Sequence, residues 1–294
     1  MNARTGPILV FTGLLLVWGY SWVLLKLALL DAGPINFAAQ RTFIGAMALL
    51  VMLPLMRRPF WPTRVRETFL LGIVQTTIFV TLSQLSLVDG GAGRSAVLVF
   101  TMPFWTLLFA AFALDEQVGI AQRWAVALAA VGLVIMLEPW QLGGSVKSKM
   151  IAISAGATWA ASAVMVKRIQ QRESMDAISL TAWQMFFGSS ILMLIALFVD
   201  EPATNWNPRF GAILLFTALI PTGLGWLVWV YLLQRLSAGV ASMSMLAIPV
   251  LATASSAIQL GERLKPNEYA GMALIVGALV VLSRAAMRPH KANE

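Results

Sequence analysis

The sequence predicts an all-α integral membrane protein, with ten transmembrane helices in two inverted five-helix repeats. Three observations predict it. The 294 residues are 59% hydrophobic and 12% charged, with a mean hydropathy of +0.79, whereas soluble domains carry about a quarter charged residues. A hydrocarbon core about 30 Å thick takes roughly 20 residues of helix. Ten apolar windows near that length follow one another, at about 8–30, 36–56, 67–88, 93–114, 121–137, 148–169, 177–199, 209–233, 238–260 and 267–287. Such windows, unlike alternating ten-residue segments, belong to a helix bundle rather than a barrel.

The third observation is that the chain is written twice. A shift of 146 lays Ala92-Gly93 over Ala238-Gly239, Pro103 over Pro249 and Glu116 over Glu262. A shift of 141 lays Trp18, Ser21 and Lys26 over Trp159, Ser162 and Lys167, and a shift of 143 lays Gly45 over Gly188. Leu, Ala and Val match cheaply between apolar segments, but Trp, Pro, Glu, Lys and Ser recurring in order do not. The units are expected at 1–146 and 147–294. Five helices is an odd number, so the second unit must cross the membrane upside down. Inverted repeats of this kind are a transporter architecture with substrate held near the midplane.

Taken in order, the first window carries Trp18, Ser21, Trp22 and Lys26 on one face, at i, i+3, i+4 and i+8. Trp18 lies about ten residues, roughly 15 Å, from the start of its window. That depth is near the midplane and too deep for a headgroup belt, so Trp18 and Ser21 are read as cavity wall. Lys26 is read mainly as an interface or gate charge that reaches the outer end of its helix. Arg41 in the second window is given a similar interface reading, because its repeat mate is the neutral Gln184. The third window holds Gln75, Thr76 and Thr77, with Ser83 and Gln84 beyond. In the fourth and ninth windows Thr101 and Ser244 precede Pro103 and Pro249. Proline removes a donor and frees the carbonyl four residues earlier, here Val99 and Met245, so each is expected to form a hinge beside the cavity. The sixth window repeats the first with Trp159 and Ser162, and the eighth adds Trp226 and Trp229. Ala125, Ala129, Ala273 and Gly277 in the fifth and tenth read as close helix packing.

Charge placement sets orientation. Of the 21 Lys and Arg residues, 13 fall on the side of the termini and 6 on the other, which places both termini in the cytoplasm. All thirteen acidic residues lie outside or at the margins of the windows. An intramembrane carboxylate, the usual anchor for a cationic cargo, is therefore not expected. The chain has no cysteine, and its single histidine, His290, lies in the C-terminal tail. No metal, cofactor or catalytic centre is expected. The net charge of +8 sits in loops and does not signal nucleic acid. Expected partners are a small-molecule substrate and the lipid bilayer; the oligomeric state is left open, a monomer included.

"WGYSWVLLK" (18–26), a proline in the fourth helix of each unit followed thirteen residues later by Glu, and "GERL" (261–264) resemble the EamA family of the drug/metabolite transporter superfamily. The resemblance covers essentially the whole chain. It implies ten helices in two repeats and a secondary carrier or exporter of small metabolites in a bacterial inner membrane. Within the family the chain looks most like exporters of aromatic and other neutral amino acids. Carriers of drugs or precursor sugars are the alternative, and an intramembrane enzyme or a receptor is a distant third. In the second unit Ala160-Ala161 replaces Gly19-Tyr20, so the halves need not contribute equally to binding.

Overall fold

The computed structural model describes residues 5–114, 119–137, 146–236, 238–245, 247–261, 265–267, 269–271, 273–274, 277–278 and 281, the side chains at 5–10, 136, 137, 146, 240, 243 and 244 excepted. All regular structure among the described residues is helical. We number the helices by the windows they occupy: α1 (Thr5–Ala28), α2 (Pro34–Leu55), α3 (Val65–Asp89), α4 (Ala92–Ala113), α5 (Ile120–Leu137), α6 (Val146–Arg172), α7 (Ala177–Ala196), α8 (Pro208–Arg235) and α9, formed by Ala238–Ser244 and Ala247–Gln259. Seven of these helices are long and apolar enough to cross a membrane; Ile120–Ile135 and Ala247–Gln259 are shorter apolar helices. The tenth window, the paired Glu116 and Glu262, and His290 lie wholly or largely outside the described residues.

Local chemistry places the helix ends. Pro34 and Pro208 stand in the first turns of α2 and α8, where a missing N–H costs nothing. Asn207 caps α8 through Phe210 N at 2.9 Å, and Asp176 caps α7 by accepting from Ile178 N and Ser179 N, both at 3.0 Å. The N-terminus of α2 takes its cap from far along the chain. Glu201 accepts from Ile35 N and Asn36 N at 2.9 Å, an anion at the positive end of a helix dipole. Past α9, Gly261 adopts φ +67°, the left-handed conformation that ends a helix at little cost only for glycine.

Four of the windows are not continuous α-helix. α3 widens to a π-turn over Ile73–Ile78, and α8 over Ala218–Leu224; the two lie at the same place in the repeat. α4 is interrupted at Phe100–Thr101, and α9 after Ser244. This corrects the expected proline kinks in detail. Pro103 sits in the first turn of a new helix rather than inside an old one, and the Met245 carbonyl accepts from Ile248 N at 3.0 Å. The chain re-forms hydrogen bonds around the proline by stopping and restarting.

The halves are interlocked. α1 packs on α8 and α9 of the second half, α6 on α3 and α4 of the first, and α2 lies against α7. α2 and α7 run antiparallel. Glu201 beyond the end of α7 meets the start of α2, and Arg58 beyond the end of α2 meets Asp176 at the start of α7, at 3.3 Å. Glycines permit the closest crossings: a Cβ on Gly45 would stand 2.7 Å from the Ala218 carbonyl, and one on Gly188 would strike the Gly72 carbonyl. Among the described residues the main core cluster draws on both halves, and a smaller one gathers Val97, Ala125, Ala129, Leu133 and Ala278. Around them the polarity runs opposite to that of a soluble protein. Gln75, Thr76, Gln84, Ser162, Gln184 and Thr222 are buried, while Leu55, Phe112, Leu197 and Phe198 are exposed, an apolar exterior suited to lipid. Trp61 and Trp206, near helix ends, are exposed, as an interfacial belt requires.

Candidate functional site

Where α1 meets α3, α6 and α8, four tryptophans close on one another. The Trp18 ring lies 5.6 Å from Trp159, 5.4 Å from Trp226 and 6.3 Å from Trp229. Trp159 is 5.8 Å from Trp226 and 5.5 Å from Trp229. Phe79 and Phe100 flank the group, at 5.3 and 5.2 Å from Trp159. Most of these pairs are tilted or edge-to-face, the favourable arrangement of ring quadrupoles, worth about 0.5–1.5 kcal/mol each beyond burial.

Against this cluster opens a cavity of about 520 Å³, its mouth included, lined by Trp18, Ser21, Trp22, Leu25, Arg41, Phe79, Val80, Ser83, Phe100, Trp159, Pro221 and Trp226. Nine of these residues come from the first half and three from the second, so the wall is lopsided although the scaffold is repeated. Apolar and aromatic walls with a few polar groups are the usual character of a small-molecule site.

The π-turn of α8 organises the polar side of the cavity. A π-turn leaves carbonyls turned out of the regular ladder and tends to mark functional positions. The Trp18 indole N–H donates to the Pro221 carbonyl at 2.7 Å, and Arg41 Nη1 donates to Thr222 Oγ1 at 2.8 Å. Gly225, one turn on, makes room for the Trp18 indole; a Cβ there would strike Nε1. Arg41 is 8% exposed. Its guanidinium carbon lies 5.9 Å from the centre of the Phe37 ring, and its Nε has no hydrogen-bond partner. Among the described residues no carboxylate pairs with it.

Of the residues expected to form the site, Trp18, Ser21, Trp159 and Trp226 line the cavity. Ser21 Oγ donates back to the Trp18 carbonyl at 2.8 Å, and Ser162 makes the same bond to Trp159 at 2.7 Å, but Ser162 is off the lining. Gln75 is buried in the π-turn of α3 with both amide atoms unpartnered. Thr101 stands at the break in α4, also off the lining, with its hydroxyl unpartnered. The Ser244 side chain is outside the described residues. Pro103 and Pro249 are buried and off the lining. Lys26 is off the lining too; its Nζ donates to the carbonyls of Leu87 and, at 3.2 Å, Val88. The ammonium thus sits at the negative end of α3.

Sequence reasoning missed Arg41, Phe79, Phe100 and Pro221. Arg41 carried a signal, a charge within an apolar window, that its neutral repeat mate made easy to discount. The phenylalanines and Pro221 carried none, since nothing in an apolar window marks which residue faces a cavity. Among the described residues no group of His, Cys, Asp or Glu could hold a metal ion. At the end of the bundle beside the start of α2, Arg209 donates to Asp31 at 2.6 Å. That bond, opposed by burial and aided by Asn207 and Asn205, holds the Asp31 carboxyl below the usual carboxylate range.

Comparison with known proteins agrees with this architecture. A solved crystal structure superposes with a TM-score of 0.75 at 18% identity, covering 97% of this chain and 100% of the other, a likeness of fold. The chain is 26% identical to an uncharacterized transporter of Bacillus subtilis, YoaV, over 90% of both chains. It is 27% identical to a probable amino-acid metabolite efflux pump of Salmonella typhimurium, and 26% identical to a protein of the same description in Escherichia coli, over 90% of each chain in both cases. The sequence pattern of the EamA-like transporter family matches twice, at residues 5–138 and 147–284. With that double match over a helical bundle built from two repeats, the chain belongs to the EamA-like transporter family and is an integral membrane transporter.

Proposed function

We propose that this transporter exports amino acids, aromatic and other neutral ones, and similar small amphipathic metabolites through the cavity between its halves. The observation that carries the reading is the cavity itself: four tryptophans and two phenylalanines around a few hydrogen-bonding groups. It suits an apolar body with a polar head. The relatives described as amino-acid metabolite efflux pumps support it at 26–27% identity. A carrier of permanent cations is the weaker reading, because Arg41 lines the cavity and, among the described residues, no acidic one does.

In this proposal ten helices cross a bacterial inner membrane with both termini in the cytoplasm, as units 1–146 and 147–294 of opposite orientation, and substrate passes as helices rock about the midplane. The antiparallel run of α2 and α7 supports the inversion, and the Lys/Arg bias supports the orientation. Export of labelled amino acids from cells expressing the protein is the test. We expect aromatic amino acids to leave faster than from control cells, and Trp18→Ala to slow them with the membrane level of protein unchanged. Equal efflux from expressing and control cells across the panel rejects the amino-acid reading. Cysteines placed singly at Gly143 and Ala292 of this Cys-free chain should label from opposite sides; labelling of both from outside rejects the inverted topology.

A further inference from the structure

We propose that Arg41 is the anchor for the substrate's carboxylate, held in place by Thr222. On this view the cavity recognises amphipathic carboxylates whether or not they carry an amino group. The inference rests on the reading of this cavity as the transport site, and it narrows the substrate class.

A guanidinium inside a membrane span is expensive unless its charge is answered. Among the described residues Arg41 is answered only by an uncharged hydroxyl and the face of Phe37. It lines the cavity with Nε unpartnered. Its planar fork offers five donors in the geometry that matches a carboxylate with two parallel bonds. Since the guanidinium is already out of water, an entering anion meets a strong donor set without a further cost of drying it.

The other half of the molecule shows that the fold does not need this charge. Gln184 occupies the repeat position of Arg41, and Thr76 that of Thr222. There Thr76 Oγ1 donates to Gln184 Oε1 at 2.9 Å. The equivalent crossing, α7 on α3 in place of α2 on α8, is thus pinned by a neutral pair. Gln184 is off the cavity lining; Arg41 is on it. The charge appears where the crossing faces open space.

Among the described residues no acidic side chain lines the cavity to receive an ammonium group. The remaining polar side chains of the lining are Ser21 and Ser83, and Arg41 repels a second cation. An amino acid therefore enters by its carboxylate, and removal of its amino group does not remove its recognition.

The test uses purified protein in detergent and matched sets of three probes sharing one apolar body. One set is phenylalanine, 3-phenylpropionate and phenethylamine; the indole and isobutyl series give two more. Ligand-induced rise of the melting temperature is read for the wild type, Arg41→Gln and Arg41→Lys. The wild type should respond to the amino acid and to the acid, and not to the amine. Arg41→Gln copies the neutral pair of the other half, so it should melt at or above the unliganded wild type. Its apparent affinity for the acid should be about 10- to 100-fold weaker, the scale of a lost charge-assisted bond. Arg41→Lys should retain part of the response. A wild type that responds to the amine as strongly as to the acid, or to no carboxylate, overturns the proposal; so does an Arg41→Gln protein that responds to the acid like wild type. Flux separates this from the broader reading. Vesicles that carry deaminated acids in an Arg41-dependent way, but no amino acid, leave the anchor standing and remove amino-acid export. Amino-acid flux equal in wild type and Arg41→Gln does the reverse.

Discussion

The two π-turns occupy equivalent places in the two halves, and they are used differently. The second, Ala218–Leu224, takes a bond at each of two residues: the Trp18 indole donates to the Pro221 carbonyl and Arg41 donates to Thr222. The first, Ile73–Ile78, receives Gln184 on Thr76 but nothing from the tryptophan that matches Trp18. The Trp159 Nε1 and both amide atoms of Gln75, the residue that stands in the place of Pro221, are buried without partners. One backbone device thus serves a charged, cavity-facing turn in one half and a neutral, partly unsatisfied one in the other. Repetition fixes where helices cross and widen; it does not fix which chemistry each crossing carries. Buried polar atoms without partners are uncommon in folded proteins; beside the first turn they are those of Gln75, Trp159 and Gln184, and beside the second Arg41 Nε.

The largest expected effect tests whether the two crossings are equally tight. A Cβ on Gly188 meets the Gly72 carbonyl and stands 2.6 Å from Thr76 Cβ, while one on Gly45 meets the Ala218 carbonyl at 2.7 Å with its other neighbours at 3.3 Å. Overpacking costs about 1–3 kcal/mol, so Gly188→Ala should fall at the upper end and Gly45→Ala nearer the lower. Thermal or chemical unfolding in detergent reads both; equal losses would make the crossings interchangeable.

Next are the two threonines. Thr76→Val removes a neutral interhelical bond, worth about 0.6 kcal/mol in membrane bundles. Thr222→Val strips a buried guanidinium of its hydroxyl, and bonds to charged groups are worth about 1.5–3 kcal/mol. Unfolding measurements on both variants should show the larger loss at Thr222. The reverse order would mean that the Arg41 bond is dispensable.

The tryptophans give a smaller difference. Trp18→Phe forfeits the bond to Pro221 as well as ring area, whereas Trp159→Phe forfeits ring area alone. The first should therefore be less stable than the second by about 0.6 kcal/mol. Matched stabilities would mean that the two indole N–H groups are equally engaged.

The smallest effect lies at the bundle end, where Asp31 holds Arg209. Its carboxyl is lowered in the folded protein, so its contribution is present above the unfolded value and is lost as pH falls through the folded one. Melting temperature should dip below about pH 4, and Asp31→Asn should remove that part of the dip. A variant with an unchanged acid limb would assign the dip to other carboxylates.

Sequence alone determined the helical membrane architecture and its doubling. Hydrocarbon thickness sets helix length, and rare residues such as Trp18, Pro103 and Ser21 recur in register with Trp159, Pro249 and Ser162. It also singled out Trp18, Ser21 and Trp159, because an aromatic at mid-helix depth with a serine one turn away is conspicuous in an apolar run, and Trp226 as one of the tryptophans within the windows. Tertiary structure alone decided the rest. Period and hydropathy are blind to which face of a helix meets open space, so Phe79, Phe100 and Pro221 were invisible. The breaks before Pro103 and Pro249, and the π-turns, depend on which carbonyls neighbouring helices can serve. Arg41 and Gln184 are equivalent by repeat, and the chain by itself ranks neither above the other. Only the packing shows that Arg41 lines a cavity and Gln184 does not, and a buried charge acquires its meaning from what it faces.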